Sequence, residues 1–440
     1  MIEKYYSGVI EQIYNRIGKE TRNIVMANYS NDFSIENLEV IRRYQSNEDN
    51  VFFAYSEFSY NTLVGAYEPF LDIICNMHRR FIGGSFDDFQ KECGVYYLHR
   101  QVLNSYYETG ECFREETVLL NEVAYEQRRM TMAIADMLKK LSEVKPLMIV
   151  INRFQMASKS SIETIKYLID NPCTNIGIVL GVNALVRGTD STVEVWDRIV
   201  ESLEDRSAIY YIGSAGQLKN NIRDTSDDEL YITTNFEQSI QEASNIMEFL
   251  DYEQARRGCR IIEHKIKFEN AWIDEKSLRR FYLVYARTSV LLGEMSKAIE
   301  LMNEYKALIP ENDSEHYFSL YYFMKGTCYM YQGKLEKAEG CAKKAYDYAV
   351  LAEDDTLIFK AELLSVMIKM SGWYNIFFCV QDIPVSDEII EKLIKHGYRN
   401  HLAHIYIYAY DNSRDVVKQS FYDESLLKHF TKGLELAKEI

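Results

Sequence analysis

Ile2, Tyr6, Val9, Ile13 and Ile17 fall near the spacing of one helix face in IEKYYSGVIEQIYNRIG (2–18), and Gly18 marks the stop. The rhythm then changes. NIVMA (23–27) is a short apolar run, followed by a polar turn, NYSNDFS, and a helical pattern, IENLEVIRRYQS. NVFFAYS (50–56) reads as the next strand. Residues 66–143 are helical in pattern, broken at GGS (83–85), CGV (93–95) and TGE (109–111); Val123, Met130, Ile134, Met137, Leu138 and Leu141 mark the last helix. Further strands are predicted at 147–151, 175–183 and 207–214. Between them lie a helix carrying Ile162, Ile165, Leu168 and Ile169, and the amphipathic VEVWDRIVESL. Short, nearly all-apolar strands alternating with helices predict a parallel sheet covered on both faces.

From about residue 240 the strand signals fade. Residues 279–310 read as a helix, a turn at Gly293, a second helix and a closing Pro310; residues 318–350 repeat the layout around Gly333. Ala298 and Ala338 follow their turn glycines by five residues, and Ala286 and Gly326 precede them by seven, all small enough for two helices to approach closely. Weaker copies are expected at 249–266 and at 361–383, the latter around Gly372 with Phe377 in place of a small residue. One more packing helix is expected at 423–440, where a further repeat or cap would follow. Tyr282, Tyr285, Tyr321, Tyr322 and Tyr329 are expected between helices. The predicted organisation is an α/β domain over 1–235 and an all-α helical-repeat domain over 236–440.

Composition narrows the function. The 440 residues are 47% hydrophobic and 26% charged, with only 5 Pro and 20 Gly, which suits globular domains rather than low-complexity linkers. The net charge of −16 argues against a broad phosphate-binding surface, so no direct nucleic-acid binding by this chain is expected. Eight cysteines are scattered without a CxxC, which fits a reducing cytoplasm better than a disulfide framework or zinc ribbon. MIEKYYSGVI lacks a signal-peptide layout, and no apolar run reaches the ~18 residues of a membrane span. No GxSxG, HExxH or paired Cys–His nucleophile is present. His396, His401 and His404 could be a metal cluster, but without an acidic or cysteine ligand nearby in sequence they read as packing or surface histidines.

The segment order resembles the nucleotide-binding domain of the STAND class of signalling ATPases, particularly the large LuxR-type regulators. AYSEFSYNTLVGAYEPFLDII (54–74) is similar to the family's second strand, polar loop and following helix, and KPLMIVINRFQMASKSSIETIKYL (145–168) to its Walker B strand, turn and helix. IGIVLGVN and AIYYIGSAG are similar to the next strand and the closing one. The paired helices resemble tetratricopeptide repeats, although the 293-to-333 offset exceeds the usual 34. The implied fold is a degenerate P-loop NTPase-like domain followed by a TPR-like α-solenoid.

The departures fall on the chemistry. A P-loop needs glycines, a Lys and a Ser or Thr; ANYSNDFS (27–34) offers no Gly and no Lys, carries Asp32, and matches only at Ser34. At the Walker B turn Asn152 stands where the metal-organising acid is expected, Arg153 where the second acid is, and Ser158 where the final one is, while Gln155 and Ala157 remain. Asn28, Ser34, Asn152 and Gln155 are thus the residues of a degenerate nucleotide site, and neither hydrolysis nor a bound cofactor or metal is expected. The leading expectation is a non-enzymatic regulatory or scaffolding protein that binds a peptide, protein or small ligand through its helical repeats. Two alternatives stand beside it: a signal-responsive LuxR-type transcription regulator without its helix-turn-helix, and a weak nucleotide-binding ATPase with a non-standard site.

Overall fold

The computed structural model describes residues 2–19, 23–28, 38–46, 50–59, 63–116, 118, 120–183, 186–187, 197, 209–212, 223–224, 235–268, 273–312, 314–375, 387–405, 431 and 434–435. The chain packs as two compact units. One comprises Met1–Phe113 with Asn121–Ala271; the other comprises Arg114–Leu120 with Trp272–Ile440.

The first unit is built on a parallel sheet of five strands: β1 (Asn23–Asn28), β2 (Phe52–Glu57), β3 (Leu147–Asn152), β4 (Ile176–Asn183) and β5 (Ile209–Ile212). Their order across the sheet is β2-β3-β4-β1-β5, every neighbouring pair parallel. All six residues of β3 are buried, as expected for a central strand with helices on both faces. Met148, Val150 and Val179 turn one way, into a core completed by Tyr6, Ile10 and Ile13 of α1 (Ile2–Tyr14) and by Val40 and Ile41 of α2 (Glu39–Ser46). Leu147, Ile149 and Ile151 alternate to the opposite face and are fully buried. Gly177 lets α1 approach β4, because a Cβ there would meet Ile13 at 2.8 Å.

The predicted breaks in 66–143 separate real helices: α3 (Phe70–Met77), α4 (Phe86–Glu92), α5 (Tyr97–Thr109) and α6 (Val123–Val144). Next come α7 (Lys159–Asp170), α8 (Phe236–Glu248) and α9 (Tyr252–Phe268). The compact first unit ends at Ala271, whereas the sequence pattern places a domain boundary at 235/236. Specific bonds tie α8 and α9 to it. Gln254 donates to the Val64 carbonyl at 3.0 Å, Asn245 receives the Cys112 N–H at 2.9 Å, and Gly258 leaves room for Leu63.

The second unit is helical: α10 (Glu275–Leu291), α11 (Met295–Ala307), α12 (Ser314–Tyr331), α13 (Leu335–Leu351), α14 (Asp355–Asn375), α15 (Asp387–Lys395) and α16 (Arg399–His404). Gly293 and Gly333 sit at the α10–α11 and α12–α13 turns with φ of 78° and 70°. The small residues do what their spacing implied: Ala286, Ala298 and Ala338 are fully buried, and a Cβ on Gly326 would meet Leu364 at 2.9 Å. Gly372 is a correction. It lies inside α14, which continues to Asn375, because apolar residues carry the helix past a glycine that merely weakens it. Tyr285 and Tyr321 are buried, while Tyr282, Tyr322 and Tyr329 are half-buried. The expected helix 193–203, apart from Asp197, the segment around Phe377, and most of 423–440 lie outside the described residues. Among the described residues no helix is long and apolar enough to cross a membrane.

Candidate functional site

In an open parallel sheet the loops that bind ligands gather at the carboxyl ends of the strands, beside the point where the strand order reverses. Here β1, inserted between β4 and β5, sits beside that point. The apolar strands end on polar residues in register: Glu57 beside Asn152, and Asn28 beside Asn183. Asn28 and Asn152 end strands two apart, on the order of 10 Å from each other at ordinary strand spacing. The Asn28 side chain and Ser34 lie outside the described residues.

Asn152 is buried, and its amide lies against β4 at Gly181, where any Cβ would collide with it. The next residue, Arg153, takes a left-handed backbone with φ of 55°. Its guanidinium pairs with Glu57 at 3.2 Å and donates to the Phe58 carbonyl at 3.3 Å. The second Glu57 oxygen accepts the Tyr55 hydroxyl. Burial, reinforced by the Glu57 charge, pushes the Tyr6 phenol well above its ordinary range. The acid at this edge is therefore already neutralised by a cation of the chain. Mg²⁺ in a nucleotide site is held through carboxylate and phosphate oxygens; here Glu57 is committed to Arg153 and Asn152 brings no charge, so these residues do not fit it.

Gln155, in the turn after β3, is also buried, so the structure brings Asn152 and Gln155 onto one buried turn. Ser158 caps α7 by accepting the Ser161 N–H. Around it runs a polar network that the sequence did not announce. The Ser161 hydroxyl donates to the Glu68 carbonyl at 2.7 Å, the Tyr67 N–H donates to Ser160 Oγ at 3.0 Å, and the Ser160 N–H donates to Asp251 at 3.1 Å. Asp251 also accepts the Gln254 N–H at 3.4 Å, and burial raises its carboxyl above the usual range despite these bonds. Ser158 is thus a capping serine.

Two clefts flank the start of α3. One, of about 400 Å³, follows β2 past Tyr55, Ser56, Asp72 and Arg80. The other, of about 370 Å³, is lined by Leu63, Glu68, Asp72, Tyr106, Glu242 and Phe249 among others. Burial raises both Glu68 and Glu242, and the Tyr106 hydroxyl donates to Asp72 at 3.2 Å. A pocket with that balance of carboxylates repels phosphate and suits a neutral or cationic group.

Two of the three candidate histidines have other partners, and the His404 side chain lies outside the described residues. His401 pairs with Glu116, which lies 285 residues earlier in the chain, and His396 stacks on Phe359 at 4.5 Å. Among the described residues no group of three or more His, Cys, Asp or Glu side chains could hold a metal ion. Glu57 and Asp251 had faint signals in sequence, as the acid closing a strand and the acid preceding a helix; Glu116 had none. No protein-family model, no curated protein and no solved structure matches this chain.

Proposed function

We propose that this chain is a non-enzymatic regulatory or scaffolding protein. Its first unit is a degenerate P-loop NTPase-like platform of the STAND kind, and its TPR-like helical second unit recognises a peptide, a protein or a small ligand. The Arg153–Glu57 pair at the end of β3 carries the reading. Phosphoryl transfer rests on a metal and cations aimed at phosphate oxygens. Here the cation points at a carboxylate of its own sheet, and the neighbouring Asn152 is neutral and packed on Gly181. The parallel sheet with an internal first strand and the small-residue helix pairs support the family likeness.

A cytoplasmic setting accords with the cysteines. The seven in the described residues are free thiols. Burial pushes Cys75 to about 11 and Cys93 and Cys328 to about 12, which keeps them protonated and unreactive. The test is phosphate release from ATP with Mg²⁺ by the full chain, beside calorimetric titration with ATP and ADP. Release at the buffer rate and no heat of binding are expected. Turnover that a Ser34→Ala change abolishes would overturn the reading.

A further inference from the structure

Residues Arg114–Leu120 lie in sequence between α5 and α6 yet belong to the second unit. Their described members, 114–116, 118 and 120, form no strand, and only Leu120 opens a short turn of helix. Several of their polar groups bond to the helical unit. Glu116 is fully buried. One of its oxygens accepts both the backbone N–H and Nδ1 of His401, each at 2.6 Å, and the other accepts the Asn400 N–H at 3.3 Å. The Tyr398 hydroxyl donates to the Glu115 carbonyl at 2.6 Å, and the Leu120 N–H donates to Tyr331 Oη at 3.3 Å. Val118 is buried as well.

The donors are fixed from behind. Tyr398, Leu402 and Ile405 pack with Phe359, Leu363 and Leu393 in one apolar cluster. His401 is 3% exposed and Asn400 8%. A buried carboxylate is tolerable only when its lone pairs are satisfied, and charge-assisted bonds are the strong kind. This is a built receptor for one carboxylate. Bonds from a receptor's donors to the backbone and acid of an irregular segment are how peptides are held.

We propose that His401, Tyr398 and the Asn400 and His401 amides form a recognition site for an acidic peptide segment, and that Arg114–Leu120 occupies it in cis as an exchangeable strap. The trans ligand is a segment of a partner protein with a glutamate followed two residues later by an aliphatic residue, as Glu116 is followed by Val118. Among the described residues, release of the strap opens only the short helical turn that Leu120 begins; a competitor must replace the bonds to Glu116, to the Glu115 carbonyl and to the Leu120 N–H, and the burial of Arg114 and Val118. A tethered segment competes at an effective concentration around millimolar, so the wild-type chain is closed to weak competitors.

The proposal rests on the reading of the helical unit as the recognising part. ATP turnover would undo the platform reading without touching this site, and the peptide titration tests this site alone. A fluorescent peptide, Arg-Glu-Glu-Thr-Val-Leu-Leu, is titrated into the full chain and followed by anisotropy. Glu116→Ala is expected to bind it at least tenfold more tightly than wild type. Adding His401→Ala, or placing Gln at the third peptide position, is expected to remove that gain. Equal binding by wild type and a folded Glu116→Ala chain would overturn the proposal, as would a wild-type dimer that the peptide dissociates, which would make the site an exchange point between copies. Should Glu116→Ala fail to fold, hydrogen exchange of the wild-type chain decides. Amides of 114–120 exchanging at least tenfold faster than those of α13 support an exchangeable strap, and exchange only through global unfolding rules it out.

Discussion

Gly181 and Asn152 form a pair in which one residue's missing side chain is the other's space. A methyl group at Gly181 would overlap the Asn152 amide, which belongs to the same buried face as Met148 and Val150. Overpacking of this kind costs about 1–3 kcal/mol, so Gly181→Ala is expected to reduce the unfolding free energy of the first unit by that amount, read as a lower urea midpoint. Glu68 gives the opposite sign. Burial raises its folded pKa above the ordinary 4.5, although the Gly65 N–H partly offsets this. Below 4.5 both folded and unfolded chains hold the proton. As pH rises through the folded value the unfolded state releases it more readily, so the group's contribution to stability declines. Glu68→Gln keeps an acceptor for Gly65 and removes the charge. Its melting temperature relative to wild type is expected to rise between pH 4 and pH 7; a constant difference would contradict the assignment. Sequence could single out Asn152 only through the family resemblance, as standing where an acid is expected. It could not show where the amide goes, because that depends on a glycine in the neighbouring strand.

At the level of elements, one turn recurs. After α8, α10, α12, α13 and α15 the chain places Leu250, Gly293, Gly333, Glu353 and Gly397 in the left-handed region. In each case the following N–H reaches back five residues, as Glu294 does to Ser289 and Asp354 to Ala349. These are Schellman endings, which satisfy the last carbonyls of a helix. Gly293 and Gly333 were legible because glycine announces a positive φ. Leu250 and Glu353 were not, since leucine and glutamate carry no such signature, and Gly372 misled because a glycine can also sit mid-helix. Glu353 is exposed, so its strain is relieved without loss of packing. Glu353→Gly is expected to stabilise by about 1 kcal/mol, and Gly333→Ala to destabilise by a similar amount, both read from denaturant unfolding. Leu250→Gly should not gain, because Leu250 is buried and its side chain is worth about 1.5–3 kcal/mol.

On the scale of the whole chain, the change from sheet to paired helices could be read from the loss of strand signals. The limit of the first compact unit could not. Helical rhythm alone assigns α8 and α9 to the repeat array, but Asp251, Gln254 and Gly258 dock them on the first unit. A fragment ending at residue 235 leaves the Val64 carbonyl and the Ser160 N–H without these partners. It is expected to unfold without cooperativity or to aggregate, whereas extending it to 271 should restore a sigmoidal urea transition in at least the sheet-containing part. Two equally cooperative fragments would show that α8 and α9 contribute little. The carboxylate site was illegible for a related reason: its acid and its histidine are separated by 285 positions, and nothing local to either marks the other.

That separation also sets an order of events during synthesis. A ribosome adding about 5–20 residues per second needs roughly 15–60 s to travel from Glu116 to His401. The strap therefore emerges long before its receptor exists, and the carboxylate of Glu116 stays hydrated while α10 to α15 are still being made. Closure of the second unit waits until α16 has been made.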